Sequence, residues 1–353
     1  MRIRRFVRRA WLLPALMVAA FLGTTSVAHA QGTWTNAAPF PHPIGELYGT
    51  AIGDTMYVMG GYLNGRPLGL VYAYDGATNA WTQKKPMALP AHHVMMTAYQ
   101  GKIYVFGGFV HPHGTPEIYW KPINNSWVYD PASDSWKALA PLPTPRGAGQ
   151  AVAVGGKIYV IGGAASGVPN DPTATLIAGG PERVVGTCEA YDVAANTWST
   201  CATKPTPVNH FLAAAVDGKI YAIDGRIGAV FVGLSSITDR VEEYDPATNR
   251  WLDKGRSPLP RGDVCGAAHD GKIYVSCGEY ASAAGKMAYW AFESYDPATN
   301  SWTELAHMPV ARHGCAAAFV GGALHIVGGS FQSDGMPGIS SWTGVDEAYA
   351  VGP

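Results

Sequence analysis

The sequence predicts an all-β protein, a six-bladed β-propeller whose last blade is closed by the N-terminal strand. Two observations carry this prediction: a tryptophan and a glycine pair recur at one fixed spacing, and the runs between them alternate apolar and polar residues. Such alternation around a two-residue turn indicates a β-hairpin rather than a helix. The chain has 43 Gly, 26 Pro, 18 Tyr and 11 Trp but only 14% charged residues, which also favours short strands and tight turns.

The repeat has no gaps within its constant part. Six tryptophans are each followed 26 residues later by a glycine pair or a variant of it. The tryptophans are Trp34, Trp81, Trp136, Trp198, Trp251 and Trp302, and the pairs begin at Gly60, Gly107, Gly162, Asp224, Cys277 and Gly328. Two hairpins in each unit of about 50 residues give the four antiparallel strands of a propeller blade. The last unit ends near Tyr349, so we expect the strand around Trp34 to complete it and to cover the exposed edges.

The second hairpin of each unit has its own motif, seen as YDPATNRW at 244–251 and YDPATNSW at 295–302. With the glycine pairs, this pattern resembles the kelch repeat over the whole of residues 31–353. The resemblance implies that the motif Gly, Tyr and Trp are scaffold residues. Length varies in one loop per unit, and the longest of these loops are 109–126 and 164–187. Long loops on a rigid scaffold are where binding usually occurs, so we expect the working face to carry them.

The first thirty residues predict export. They contain five Arg and no acidic residue, then an apolar run from Trp11 to Leu22, then Ala-His-Ala before Gln31. This order is typical of a signal peptide, residues 1–30, cleaved after Ala30, and it predicts a periplasmic or secreted protein. Arg8-Arg9 leaves the general secretory and the twin-arginine routes open. The apolar run is short for a transmembrane span, and no other segment qualifies.

The charge of the exported part bears on its partners. Removing the five Arg of the signal peptide from the 25 Lys and Arg leaves 20, against 26 Asp and Glu, for a net charge near −6. A mildly acidic chain without a basic run is a poor candidate for nucleic acid binding. We therefore expect a monomer that binds a small polar ligand, a glycan or a protein through the loop face.

Equal distances from the tryptophans mark equivalent positions around the propeller axis. Twelve residues after each tryptophan lie what we call the ring positions: Glu46, His93, Ala148, His210, Asp263 and Gly314. The other candidate binding residues are His92, Asn209 and His313 one position earlier, Arg146, Arg261 and Arg312 two positions earlier, Arg226 and Glu279 just past the glycine pairs, and Trp120 and Trp290 in loops of the same face. Ionic hydrogen-bonding groups beside aromatic rings predict a site for a polar ligand at the channel mouth.

Each of these candidates also has a scaffold interpretation. The Arg of a Pro-Arg turn recurs in kelch repeats and often bonds loop carbonyls. This would apply to Pro145-Arg146, Pro260-Arg261 and the partial match Ala311-Arg312. Histidines in polar loops are more often hydrogen-bonded than bound to a metal, so we predict no cofactor. His93 and His210 are weak candidates for metal ligands, and no catalytic residue is assigned.

Five cysteines leave at least one unpaired. Cys188 and Cys201 lie on the two arms of one hairpin and are predicted to form a disulfide. The turn at Asp270-Gly271 sets a register that places Cys265 opposite Ser276, which predicts that Cys265 and Cys277 face opposite sides of the blade. Cys265 could form a disulfide with Cys315 on the adjacent blade, which would leave Cys277 free. The sequence leaves the pairing of Cys265, Cys277 and Cys315 open.

Three functions are compatible with the sequence. A nucleophile elbow, a phosphate loop and an HExxH motif are all absent, which favours a non-catalytic binder. In size, export and blade number the chain is similar to the exported kelch-type sialic acid mutarotases, although no catalytic position of theirs matches residue by residue. That resemblance would make Glu46, Asp263, Glu279 or a histidine the acid or base, and Arg226, Arg261 or Arg312 the carboxylate clamp. A copper radical oxidase similar to galactose oxidase ranks last, because those enzymes have seven blades and a Cys-linked Tyr.

Overall fold

The strands form six four-stranded antiparallel sheets among the residues that the structure, a computed structural model, describes. These residues are 32–63, 65–114, 119–168, 174–177, 182–282, 285–333 and 341–352. The signal peptide predicted over residues 1–30 lies outside them. The six sheets are the blades of a β-propeller, so the fold class predicted from the repeat is confirmed.

The N-terminal strand and the first three blades follow one pattern, with the innermost strand first. The N-terminal strand is β1 (Thr33–Asn36), and blade one consists of β2 (Gly45–Ile52), β3 (Thr55–Leu63), β4 (Arg66–Asp75) and β5 (Ala80–Gln83). Blade two consists of β6 (Met95–Tyr99), β7 (Lys102–Phe106), β10 (Ser126–Asp130) and β11 (Ser135–Ala138), and its loop forms a two-stranded ribbon of β8 (Phe109–Val110) and β9 (Lys121–Pro122). Blade three consists of β12 (Gln150–Val154), β13 (Lys157–Ile161), β16 (Cys188–Asp192) and β17 (Thr197–Thr200), with a ribbon of β14 (Ala164–Ser166) and β15 (Glu182–Val184).

Blades four to six repeat the pattern. Blade four consists of β18 (Leu212–Val216), β19 (Lys219–Ile223), β22 (Arg240–Asp245) and β23 (Arg250–Arg256), with a ribbon of β20 (Arg226–Ile227) and β21 (Ser236–Ile237) and a 3-10 turn at Val232–Leu234. Blade five consists of β24 (Cys265–His269), β25 (Lys272–Ser276), β28 (Glu293–Asp296) and β29 (Ser301–Glu304), with a ribbon of β26 (Glu279–Ser282) and β27 (Gly285–Ala288). Blade six contains β30 (Ala316–Val320), β31 (Ala323–Val327) and β32 (Asp346–Ala350).

The N-terminal strand closes the ring. Strand β1 pairs antiparallel with β32 as the outermost strand of blade six, with Trp34 opposite Tyr349. The Trp34 indole also donates to the Ala306 carbonyl at 2.7 Å and packs on Phe292 at a centroid distance of 5.2 Å. The first and last parts of the propeller therefore share one sheet, as the sequence predicts.

The motif residues of the outer hairpin hold neighbouring blades together. In blade four, the Tyr244 hydroxyl donates to Asn249 at 2.8 Å, and the same Asn249 oxygen accepts the Ala202 amide of the preceding blade at 2.7 Å. The Trp251 indole donates to the Ala202 carbonyl at 2.7 Å. The same interactions recur around Trp81, Trp136 and Trp198. The motif Tyr, Asn and Trp are thus scaffold residues, which their repetition implies.

The cysteines give one confirmation and one correction. Cys188 and Cys201 form a disulfide across the outer hairpin of blade three, as predicted. Cys265 lies opposite Ser276, also as predicted, but the inference that Cys277 faces away from Cys265 is wrong, because their sulfurs lie within 4.8 Å of each other. Cys277 follows the end of β25 and has a φ of 60°, so the alternation of faces along a strand no longer applies to it.

No helix among the described residues has the length and apolar character needed to cross a membrane.

Candidate functional site

The ring positions share one unusual backbone conformation. Glu46, His93, Ala148, His210, Asp263 and Gly314 all have φ between 51° and 66°. Five of the six are not glycine, although the left-handed region costs an L-residue roughly 1–2 kcal/mol. The amides of Ala148, His210 and Asp263 each donate to the backbone carbonyl of the ring position in the preceding blade, at 2.8 to 2.9 Å. These bonds between blades hold the strained conformation, and the repeat spacing correctly predicts that the positions are equivalent.

A second layer of paired positions lies beside the ring. In all six blades the residue before the ring position pairs antiparallel with the residue just past the glycine pair. This pairs Asn209 with Arg226, Gly262 with Glu279, and His313 with Ser330. Gly262 is needed here, because a Cβ on it would lie 2.6 Å from Cγ of Arg226. The glycine allows Arg226 to cross to blade five, where its guanidinium pairs with Glu279.

His313 carries a positive charge in this layer. Its Nδ1 lies 2.9 Å from Oδ2 of Asp263, and its Nε2 lies 2.6 Å from the Gln332 carbonyl, which can only accept. Both imidazole nitrogens of His313 therefore donate a hydrogen bond. Although burial lowers the pKa of His313, Glu279 and Asp263 raise it to about 10. In return, His313 and Arg226 outweigh the effect of burial and hold the pKa of Asp263 below its usual value.

Glu46 has the opposite tendency. Burial and the neighbouring Asp263 raise the pKa of Glu46 from 4.5 to about 8, so its carboxyl is protonated at neutral pH. The side chains of Glu46 and Asp263 are 13% and 14% exposed, and Gly314 lies between them. Two neighbouring carboxyl groups, one held neutral and one held charged, are an arrangement suited to an acid and a base.

The histidines opposite these carboxyls are neutral. Burial lowers the pKa of His93 and His210 well below 6.5, and it lowers that of His92 to about 3. Nδ1 of His210 lies 2.5 Å from the amide oxygen of Asn209, so Nδ1 carries the proton and Nε2 is left with a lone pair. Oε2 of Glu46 is 3.1 Å from Nε2 of His93, without the alignment of a hydrogen bond.

We call these ten residues the polar network: Glu46, His92, His93, Asn209, His210, Arg226, Asp263, Glu279, His313 and Tyr48. Tyr48 is a residue that the sequence interpretation missed. It lies two residues after Glu46 on the same strand, and burial, followed by Glu46 and Asp263, raises the pKa of its hydroxyl well above 10. The period of two along a strand that starts at the ring position could have indicated it.

A central cavity begins at the ring. It has a volume of 80 Å³, and Glu46, Ala148, His210, Asp263 and Gly314 line it together with residues of the innermost strands. A pocket for an organic ligand is typically several hundred Å³, so this space admits waters or one polar group but not a sugar ring. A larger ligand would therefore lie on the loop face and reach the cavity with a single group.

Aromatic residues cover the histidine side of the network. Trp120 lies 4.8 and 4.9 Å from the rings of His92 and His93, and it stacks on Phe109 at 5.5 Å. Phe109 occupies the position that Arg226 and Glu279 occupy in other blades, so the same offset could have indicated it. Trp290, which the sequence predicts as a binding residue together with Trp120, does not lie beside the histidines. Its side chain is exposed and stacks on His307.

The three arginines two positions before the ring do not reach the cavity, which corrects their assignment as binding residues. Arg146, Arg261 and Arg312 are fully buried within their own blades. They form ion pairs with Glu189, Glu293 and Glu347, respectively, and each also donates to backbone carbonyls. These side chains stabilise the blades, and their scaffold interpretation is the one that the contacts favour.

Comparisons with known proteins agree with the repeat. The family model described as "KLHDC2/KLHL20/DRC7 Kelch-repeats domain" matches residues 25–174, and the "Kelch motif" model matches residues 145–205 and 207–253. The chain belongs to the kelch-repeat family. It is 30% identical to Kelch-like protein terF of Aspergillus terreus over 60% of this chain and 44% of that protein, and 29% identical to human Kelch-like protein 23 over 60% and 33%. The chain thus spans less than half the length of these relatives.

A solved structure has the same fold. The kelch propeller described here is similar to the one titled "Structure of YjhT", with a TM-score of 0.71 and 17% identity, over 89% of this chain and 96% of that one. At this identity the similarity supports the fold alone. The function of this kelch propeller must be argued from its own residues.

The kelch ring also contains a possible metal site. One ligand atom each of Glu46, His93 and His210 lies within 4.8 Å of the others, and the same holds for Glu46, Asp263 and His313. Two neutral imidazoles and a carboxylate are suitable ligands for a transition metal. However, Arg226 and His313 place two positive charges beside the same carboxylates, which opposes a further cation.

The raised pKa of Glu46 predicts a pH-dependent stability. Between pH 4.5 and 8 the folded kelch propeller retains a proton that the unfolded chain releases, so this group stabilises the fold less as the pH rises. Glu46→Gln cannot ionise. Relative to the wild type, its free energy of unfolding should increase by up to about 1.4 kcal/mol per pH unit between about pH 5 and 8.

Urea denaturation at several pH values measures this difference. Asp54→Asn, at an exposed turn carboxyl, is the matched control and should run parallel to the wild type. Parallel curves for Glu46→Gln as well would show that Glu46 is ionised in the folded chain at neutral pH.

Proposed function

We propose that this chain is an exported binding protein that holds a polar ligand, a glycan or a protein, on its loop face over the polar network. The coarse role, binding through a kelch propeller, agrees with the family. The proposed ligand site rests on one observation, that two hydrogen-bonding atoms at the rim of the cavity have no partner among the described residues. Oε2 of Glu46 is buried without a hydrogen-bond partner, and Nε2 of His210 offers a lone pair beside it. A ligand that donates to these atoms would offset the cost of leaving them unsatisfied.

The ligand class follows from these groups. A hydroxyl both donates and accepts, so it can bond to His210 and to either protonation state of Glu46. The 80 Å³ cavity admits one such group, and the body of the ligand would contact the loops around Trp120. A glycan, with hydroxyls on an apolar ring frame, fits this combination better than a uniformly charged ligand. A protein ligand would have to insert a single polar side chain.

Export is part of the same proposal. The arginine-rich, apolar N-terminal segment supports it, and so does the Cys188–Cys201 disulfide, because structural disulfides persist in oxidising compartments. Glycans are abundant outside the cytoplasm, where such a protein would meet them.

Binding to a glycan array, followed by titration calorimetry on the best ligand, tests the binding proposal. Glu46→Gln, His210→Ala and Asp263→Asn should each weaken binding about tenfold, since each removes or alters one hydrogen bond to the ligand. Lys272→Ala, on an exposed hairpin turn of the opposite face, should leave the affinity unchanged. Wild-type affinity in all three network variants would exclude the polar network as the site.

A sugar mutarotase is the second candidate, and one observation favours it. Glu46 is held protonated and Asp263 ionised within one pocket, as a general acid and base at an anomeric centre require. Saturation-transfer NMR of sialic acids and hexoses measures anomer exchange. The catalytic candidate predicts faster exchange that is lost in Asp263→Asn and kept in Lys272→Ala, and exchange that the protein does not change would remove it. No observation among the described residues favours the copper radical oxidase.

A further inference from the structure

Three cysteines converge between blades five and six, outside the polar network. Cys265 begins β24, Cys277 follows β25, and Cys315 precedes β30 of the next blade. Their sulfur atoms lie within 4.8 Å of one another, and all three side chains are buried. Three thiols from three separate strands are thus brought to one point of the interior.

In four of the five other blades, the residue equivalent to Cys277 is a glycine. This is the first residue of the glycine pair, and it is Gly60, Gly107, Gly162 and Gly328 in four blades and Asp224 in blade four. The φ of Cys277 is 60°, a conformation that glycine adopts freely and cysteine does not. A strained residue that replaces a glycine suggests that its side chain has a role.

Blade four shows what a side chain at this position can do. The Asp224 carboxylate lies 3.6 Å from Nε of Arg261, the buried arginine of the next blade. Arg312 is the equivalent arginine beside Cys277, and its Nε is buried without a hydrogen-bond partner. A thiolate at Cys277 would thus take the place of the Asp224 carboxylate and face the arginine of the following blade.

A fourth sulfur completes the set. Sδ of Met308 lies 4.0 Å from Sγ of Cys277 and is equally buried. Thiolates with a thioether are ligands for soft metal ions, above all Cu(I), whereas Zn(II) is seldom bound by methionine. Three sulfurs about 2.3 Å from one ion are about 4 Å apart, so the observed separation needs only a small closure. Cys265 and Cys315 also line the central cavity, which provides a path of entry.

We propose that Cys265, Cys277 and Cys315 form a Cu(I) site, with Met308 as a weak fourth ligand. The Arg312–Glu347 ion pair lies beside this site. In the metal-free chain, the thiols of Cys265 and Cys315 hydrogen-bond to Ser276 and to the Gly328 carbonyl at 3.4 Å. On binding, the ion replaces the thiol protons, which are released to solvent. The oxidation state of copper and of sulfur does not change. The four sulfur ligands are distinct from the residues of the polar network, and Cys265 and Cys315 line the same cavity as Glu46 and Asp263.

Anaerobic titration of the reduced protein with Cu(I), in competition with a chromophoric chelator, tests this proposal. The wild type should bind one Cu(I) and develop thiolate-to-copper absorption in the ultraviolet. Cys277→Gly restores the glycine of the other blades, so it should fold, and its affinity should fall at least 100-fold. His93→Ala is the matched control at the other candidate metal site, and it should bind like the wild type.

Three results would overturn the proposal. The first is a wild type that binds Cu(I) no more tightly than Cys277→Gly. The second is a Cys265–Cys315 disulfide in the purified protein, seen by mass spectrometry after alkylation under denaturing conditions. The third is stoichiometric displacement of the bound Cu(I) by Zn(II). Circular dichroism of Cys277→Gly checks its fold, and Cys315→Ser provides a second ligand variant if that fold is lost.

Discussion

The site depends on one repeated constraint, the left-handed residue that lies next to the start of the innermost strand in every blade. In three blades, at Ala148, His210 and Asp263, its amide donates to the equivalent carbonyl of the preceding blade, as in the bond from His210 to Ala148 at 2.8 Å. Because the backbone is fixed by neighbouring blades, the side chain at this position can vary without disturbing the ring. The scaffold thus presents six interchangeable side chains around one axis, and this chain places Glu46, His93, His210 and Asp263 there.

Charge is balanced within the polar network at neutral pH. Arg226 and His313 provide two positive charges, and Asp263 and Glu279 two negative charges, while Glu46 and the remaining histidines are neutral. Burial makes any unbalanced charge costly, which explains why Glu46 keeps its proton beside Asp263. The consequence is a buried site that contains both proton donors and free lone pairs, the properties needed to recognise hydroxyl groups.

Much of this arrangement can be predicted from the sequence, because the spacing of 26 residues makes equivalent positions countable. The blade number, the closure by Trp34, the ring positions and the Cys188–Cys201 disulfide all follow from it. The scaffold interpretation of the buried arginines was open from the sequence, but their pairing with glutamates was not predicted, although a signal for it exists. In units three, five and six, a Glu two residues before the motif Tyr accompanies the Arg, as Glu189 accompanies Arg146. The convergence of the cysteines could not be predicted from strand parity, because Cys277 leaves the strand with a positive φ.

Amide hydrogen exchange measures directly the stability of the hydrogen bonds between blades that fix the ring positions. The amides of Ala148, His210 and Asp263 should exchange only by global unfolding, while the exposed turn amides of Gly101 and Gly271 should exchange rapidly. Exchange of the three ring amides as fast as that of the turn amides would contradict this expectation. In that case the left-handed residues would not be held by their neighbours, and the polar network would have no fixed geometry.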